Sequence, residues 1–186
     1  MILALTLVAN PGPPSAMSMK YSVLSAGFQC SAKTETLVVC RNQAQLDSAV
    51  KQLGIRLADT VSVDFSNDMV LIVTGGEKPS AGYGLKDVGF YFVDYNKFGS
   101  LVWDLSIKPF LAEDGVDTAA LNTPLSVYHW DEGDALVAVR KQCPPPGALV
   151  AMMITHPYLV LKVPSVQGQV KLLLLECASE KQGDKK

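Results

Sequence analysis

The sequence predicts a mainly β protein: an antiparallel β-sandwich, with an immunoglobulin-like arrangement as one form of it, carrying one short α-helix. Three observations point there. Short runs of β-branched and aromatic residues recur at nearly regular spacing, separated by turn-forming residues. One window alone shows a clear helical period. Hydrophobic residues make up 48% of the 186 and charged residues 18%. That is enough apolar material for a full core and too little charge for disorder.

The elements follow in order. Met1 to Val8 is almost wholly apolar, and Asn10 to Ser15 breaks the run with prolines and a glycine. Residues 1–19 therefore read either as the end of a secretory leader, with small residues at Ser15 and Ala16, or as an edge strand and a Pro-rich turn. Glu35–Val39 is the next predicted strand. The helix follows: Asn42 is its cap, Gln45 stands at capping-box spacing, and Leu46, Ala49, Val50 and Leu53 form one apolar face. Gly54 supplies the stop, and Asp47 and Lys51 are spaced as an exposed i, i+4 pair.

Strands are expected at Val61–Phe65 and Met69–Thr74, joined by the turn Ser66-Asn67-Asp68, and again at Val88–Tyr95. Asn96–Gly99 reads as a hairpin turn into Leu101–Ile107. Ala112–Pro124 is acidic and unpatterned, and reads as a loop or insertion. Ser126–Trp130 and Ala135–Arg140 flank a turn at Asp131–Asp134. Ala148–Thr155, Tyr158–Val163 and Val170–Leu175 complete the strands. One β-rich domain over 20–178 accounts for these, with a charged, frayed tail at 179–186.

Several functional classes are disfavoured. A net charge of −2 and a pI near 5.6 give no basic surface for nucleic acid. No run reaches the ~18 apolar residues of a transmembrane helix. Cys30, Cys40, Cys143 and Cys177 include no Cys-x-x-Cys pair, so no metal site is expected. An even count fits two disulfides in an oxidising compartment, with Cys30–Cys40 and Cys143–Cys177 preferred among three connectivities. Four buried free thiols are the alternative.

His129 and His156 lack a nucleophile motif, so no catalytic residue and no cofactor are expected. The carboxylates at Glu113, Asp114 and Asp117, and at Asp131, Glu132 and Asp134, read as solvated turns, not calcium loops. Gly75, Gly76, Gly82 and Gly84 lie before a strand, where a phosphate-binding loop would need a helix.

The most unusual segment is Thr74–Leu85. Glycines permit sharp backbone turns, Pro79 fixes one φ, and Gly82 precedes Tyr83. The result is a rigid loop with small side chains and one aromatic. Such a loop suits insertion into a partner's cleft, since little entropy remains to be lost. It also suits plain packing against a core.

The run from Val63 to Leu85, containing Asp64-Phe65 and Gly76-Glu77-Lys78-Pro79-Ser80-Ala81-Gly82-Tyr83, resembles the PrcB family of protease-complex accessory subunits. Pro144-Pro145-Pro146-Gly147 and Thr155-His156-Pro157-Tyr158 through Val163-Pro164 match that family's later stretch, so the resemblance covers about 35–164. Ser80-Ala81 stands where Thr-Gly is usual. A fainter similarity is to chagasin-type peptidase inhibitors: Lys78–Tyr83 resembles their Asn-Pro-Thr-Thr-Gly-Tyr loop, and His156-Pro157-Tyr158 their Arg-Pro-aromatic loop.

These resemblances imply a non-enzymatic module, periplasmic or secreted, that associates with or inhibits a protease. Its contacts would be Lys78, Pro79, Ser80, Ala81, Gly82, Tyr83, His156, Pro157 and Tyr158. The alternatives are a structural envelope protein, which would bury Tyr83 and Tyr158, or a small-molecule or glycan binder using Trp103 or Trp130.

Overall fold

A computed structural model describes residues 16–58, 60–93 and 133–177. The elements expected at Met1–Val8, Asn96–Gly99, Leu101–Ile107, Ala112–Pro124 and Ser126–Trp130, and the tail from Ser179, lie outside these residues. The chain is a β-sandwich with a helix on one side. Its strands are β1 (Ala16–Ser18), β2 (Ser22–Gly27), β3 (Glu35–Cys40), β4 (Asp68–Gly75), β5 (Gly84–Val93), β6 (Ala135–Gln142), β7 (Tyr158–Pro164) and β8 (Val170–Leu175). Helix α1 spans Gln43–Leu53, between β3 and β4. One sheet runs β1-β5-β6-β8 and the other β2-β7-β4-β3. Every pair is antiparallel except β6–β8, which is parallel.

Sheet β2-β7-β4-β3 is covered on both faces. Met69, Leu71 and Val73 of β4, with Leu159, Leu161 and Val163 of β7, face the other sheet. There they meet Phe90, Ala135, Val137 and Val139. The alternate residues Val70, Ile72 and Val160 face α1 and pack on Leu46, Ala49 and Cys40. This explains why Met69-Val70-Leu71-Ile72-Val73 is continuously apolar: a strand buried on both faces has no polar side to alternate with. The helix forms as its sequence predicts. The Asn42 side chain accepts from the Gln45 N–H at 2.9 Å, the Gln45 side chain accepts from the Arg41 N–H at 2.7 Å, and Gly54 closes the helix at φ +64. Asp47 accepts from Gln43, one turn back, at 2.7 Å.

Strand β5 changes face partway. Leu85 and Phe90 both point into the core although they lie five residues apart. Strict alternation would put them on opposite faces. The register with β6 shifts between Asp87 and Gly89, and this bulge restores the inward set.

Two expected strands are absent. Val61–Phe65 is irregular: Val63 and Phe65 pack beneath the helix, and Asp64 accepts from the Ser66 N–H and the Asn67 side chain, which turns the chain before β4. Ala148–Thr155 has strand composition but forms only one isolated bridge, at Thr155. Strand β2 carries too little apolar alternation to be read from sequence, and β1 follows the Pro-rich stretch Asn10–Ser15, where no strand was expected.

Cys143 and Cys177 are joined, with Cα atoms 5.7 Å apart, as expected. Cys30 and Cys40 are not joined, which corrects the expected pairing. Both belong to the apolar cluster under α1, where burial pushes each thiol above its ordinary pKa.

Candidate functional site

The two loops singled out by sequence come together as the two legs of one ribbon. β4 and β7 pair up to Thr74 and Tyr158. Beyond that point the pairing continues irregularly. The Gly75 N–H donates to the Pro157 carbonyl at 2.8 Å, Lys78 and Thr155 exchange two bonds at 2.8 and 3.0 Å, and the Ala81 N–H donates to the Ala151 carbonyl at 2.9 Å. The ribbon thus projects past the sandwich as a tip formed by 76–83 and 148–157. The Thr155 hydroxyl donates to the Ser80 carbonyl at 3.0 Å, and both residues are buried. Gly82 turns the first leg with φ +92, and a Cβ there would stand 3.1 Å from Pro144 and from Val150. The position needs glycine for both reasons.

The predicted contact residues divide by exposure. Pro79 and Gly82 are exposed, while Lys78, Ala81, Tyr83 and His156 are partly so. Ser80, Pro157 and Tyr158 are buried. The Tyr158 ring lies over Gly27 of β2, where a Cβ would meet its Cε1 at 2.7 Å. The Pro157 ring sits where a Cβ on Gly75 would fall, 2.8 Å away. Buried side chains cannot enter a partner's cleft, so Pro157 and Tyr158 brace the tip. His156 stands with Nε2 3.6 Å from Glu77 Oε2, and its backbone N–H donates to the Phe28 carbonyl.

The base of the tip is charged and clamped. Glu35 lies 2.8 Å from Lys141 and 3.4 Å from Lys78, and Lys141 also meets Glu176 at 2.8 Å. Partial burial pushes the Glu35 carboxyl up, but the two lysines outweigh it and hold it below its ordinary value. The Cys143–Cys177 bond lies just beyond this cluster, at the start of the second leg.

Sequence reasoning missed the largest feature of the tip. Among the described residues, Val23, Phe28, Leu149, Met152, Met153 and Ile154 are the exposed large hydrophobics. All but Val23 belong to the tip or its flank. Leu149 is fully exposed and Met152 is 88% exposed. Phe28 lies beside Gly84, and the Gln29 side chain reaches the Ile154 carbonyl. A signal was present in the sequence: no charged residue occurs from Gln142 to Thr155.

Elsewhere, a shallow recess of ≈ 560 Å³ is lined by Val39, Arg41, Asp134 and Gln167–Val170. Its polar groups already hold a turn. Arg41 donates to the Val166 and Gly168 carbonyls, and buried Asp134 accepts from the Gln169 N–H and from Lys171 Nζ, both at 2.7 Å. Among the described residues no group of three or more His, Cys, Asp or Glu is placed to hold a metal ion. None of the described helices is long and apolar enough to cross a membrane. His129, Trp103 and Trp130, and all the grouped carboxylates except Asp134, lie outside the described residues.

Comparison of the chain with protein-family models, curated proteins and solved structures finds no significant match.

Proposed function

We propose that this chain is a non-enzymatic protein-binding module whose contact surface is the tip of the extended β4–β7 ribbon. One observation carries the reading: of the exposed large apolar side chains of the described residues, all but Val23 gather there or at its flank, on a braced support. A contiguous exposed patch of that kind marks an interaction surface more often than a random one. Rigidity supports the reading too, because a tip fixed by Gly82, Pro79 and the buried Thr155–Ser80 bond loses little entropy on docking. Pro79, Gly82 and Tyr83 are the first-leg contacts, and Leu149, Met152 and Ile154 those of the second.

A protease is the partner class favoured by the PrcB-like residues, since Lys78–Tyr83, Pro144–Gly147 and Thr155–Tyr158 all fall at this tip or its base. The Cys143–Cys177 bond favours an oxidising compartment, periplasmic or extracellular. A second reading, a structural envelope sandwich with a packed loop, draws on the burial of Ser80, Pro157 and Tyr158.

A photo-crosslinking residue placed at Tyr83, and separately at the exposed Lys51 of α1, separates the two readings. Protein adducts formed from position 83 and not from position 51 support the tip, and a protease among them supports the partner class. Equal labelling from both positions, or none from 83, rejects the tip as a binding surface.

A further inference from the structure

The methionines of the tip and those of the core differ in what can reach their sulfur. Residues 148–154 form no strand. The Met153 N–H donates to the Ala151 carbonyl at 3.0 Å, a three-residue turn with Met152 at its apex. That turn explains why Met152 is 88% exposed, and Met153 beside it is 48% exposed. Met69 is 0% exposed in the core between the sheets, and Met19 packs against the same core. A thioether is oxidised where an oxidant has access to it, and the product is a polar sulfoxide. Other sulfur offers little competition. Cys143 and Cys177 are already joined, and burial keeps the Cys30 and Cys40 thiols protonated and slow to react.

Resting on the partner-binding reading above, we propose that Met152, with Met153 second, is a site of oxidation by hydrogen peroxide that withdraws the tip from its partner. The thioether sulfur attacks one peroxide oxygen. An S–O bond forms, the O–O bond breaks, and the second oxygen leaves as water. The methionine loses the two electrons that the peroxide gains. Phe28, Leu149, Met152, Met153 and Ile154 make up the exposed apolar surface of the tip and its flank, so two of its five large side chains can change character this way. A partner shaped to bury a thioether would have to bury a strong hydrogen-bond acceptor in its place, at a cost unless it offered a donor. The oxidising compartment favoured by the Cys143–Cys177 bond is also one where such oxidants are met.

Graded exposure of the purified, disulfide-intact protein to hydrogen peroxide, followed by removal of the peroxide, tests this. Peptide mass spectrometry should find sulfoxide first at Met152 and next at Met153, with Met19 and Met69 unmodified until the protein is unfolded in urea. Thermal unfolding should be unchanged while only positions 152 and 153 carry oxygen, so loss of the fold is checked directly. Retention on a phenyl hydrophobic-interaction column should fall in step with sulfoxide at these two positions. Protein adducts formed by the crosslinking residue at position 83 should fall about fivefold or more. The double variant Met152→Leu, Met153→Leu, compared only with itself before and after peroxide, should show neither change.

Oxidation of Met19 or Met69 in the folded protein as fast as Met152 overturns the proposal. So does retention, or adduct formation, that is indifferent to sulfoxide at 152 and 153, or a double variant that responds to peroxide as the native protein does. Absence of adducts before any treatment rejects the partner-binding reading instead, and the order of oxidation and the retention shift then decide the modification site by themselves.

Discussion

Replacing Cys143 and Cys177 together by serine should lower stability substantially without changing the fold. The bond joins the end of β6 to the residues just past β8, strands already paired in parallel from Ala135–Val170 to Arg140–Leu175. Its stabilisation therefore acts mainly on the unfolded chain, whose freedom it restricts. For a sequence separation of 34, loop-closure entropy gives about 3.8 kcal/mol at 25 °C. In a chain of this size that corresponds to a fall of roughly 8–15 °C in Tm. Urea unfolding of the native and double-serine proteins, without reductant, measures it. The m-value should rise in the variant, since removing the cross-link expands the unfolded state. Thiol titration in urea should find two reactive groups in both proteins, Cys30 and Cys40. A loss below about 1 kcal/mol with an unchanged m-value would refute the entropic argument. No reactive thiol in the native protein would refute the assignment of Cys30 and Cys40 as free.

Gly89→Ala should lose about 1–3 kcal/mol, because the new Cβ would overlap the buried Tyr91 ring, whose Cε2 would lie 2.7 Å away. Adding Tyr91→Leu should recover part of that loss in the urea midpoint, and purely additive losses would show that the ring is not the obstacle. Glu35→Gln should lower stability at neutral pH by less than about 1 kcal/mol, the pair being partly exposed. Because the folded carboxyl is held below its ordinary 4.5, its contribution is present above that pH and fades as pH falls through the folded value. The difference between native and variant proteins should therefore shrink on acidification from pH 5 to pH 3, and a constant difference would reject the two lysines as its cause.

Local signals made the helix and β4 legible. Asn42, Gln45 and Gly54 define the helix ends within a few residues, and the apolar run of β4 announces burial on both faces. What failed to show was partnership. Ala148–Thr155 and Tyr158–Val163 have similar compositions, yet only the second finds ladder partners, β2 and β4. Composition reports a residue's preference for a pleated surface and is silent on whether a neighbour exists. The same limit hid the parallel β6–β8 pair and the bulge before Gly89, both set by strands distant in sequence. At the candidate site, Gly82 and Tyr83 were legible because Gly and Pro punctuate the backbone, and the joining of 78–83 to 155–157 was suggested only by family resemblance. Cys30 and Cys40 were misassigned because parity of count says nothing about geometry.

The parallel pairing of β6 with β8 also sets an order of events. Between them the chain must lay down β7 in the opposite sheet, so β8 is the last described strand that can dock. During synthesis, when earlier segments are ordered first, Cys143 waits as an exposed thiol until Cys177 arrives beside it. Oxidation of this pair then fastens the last described strand in place, tying the end of β6 to the residues just past β8.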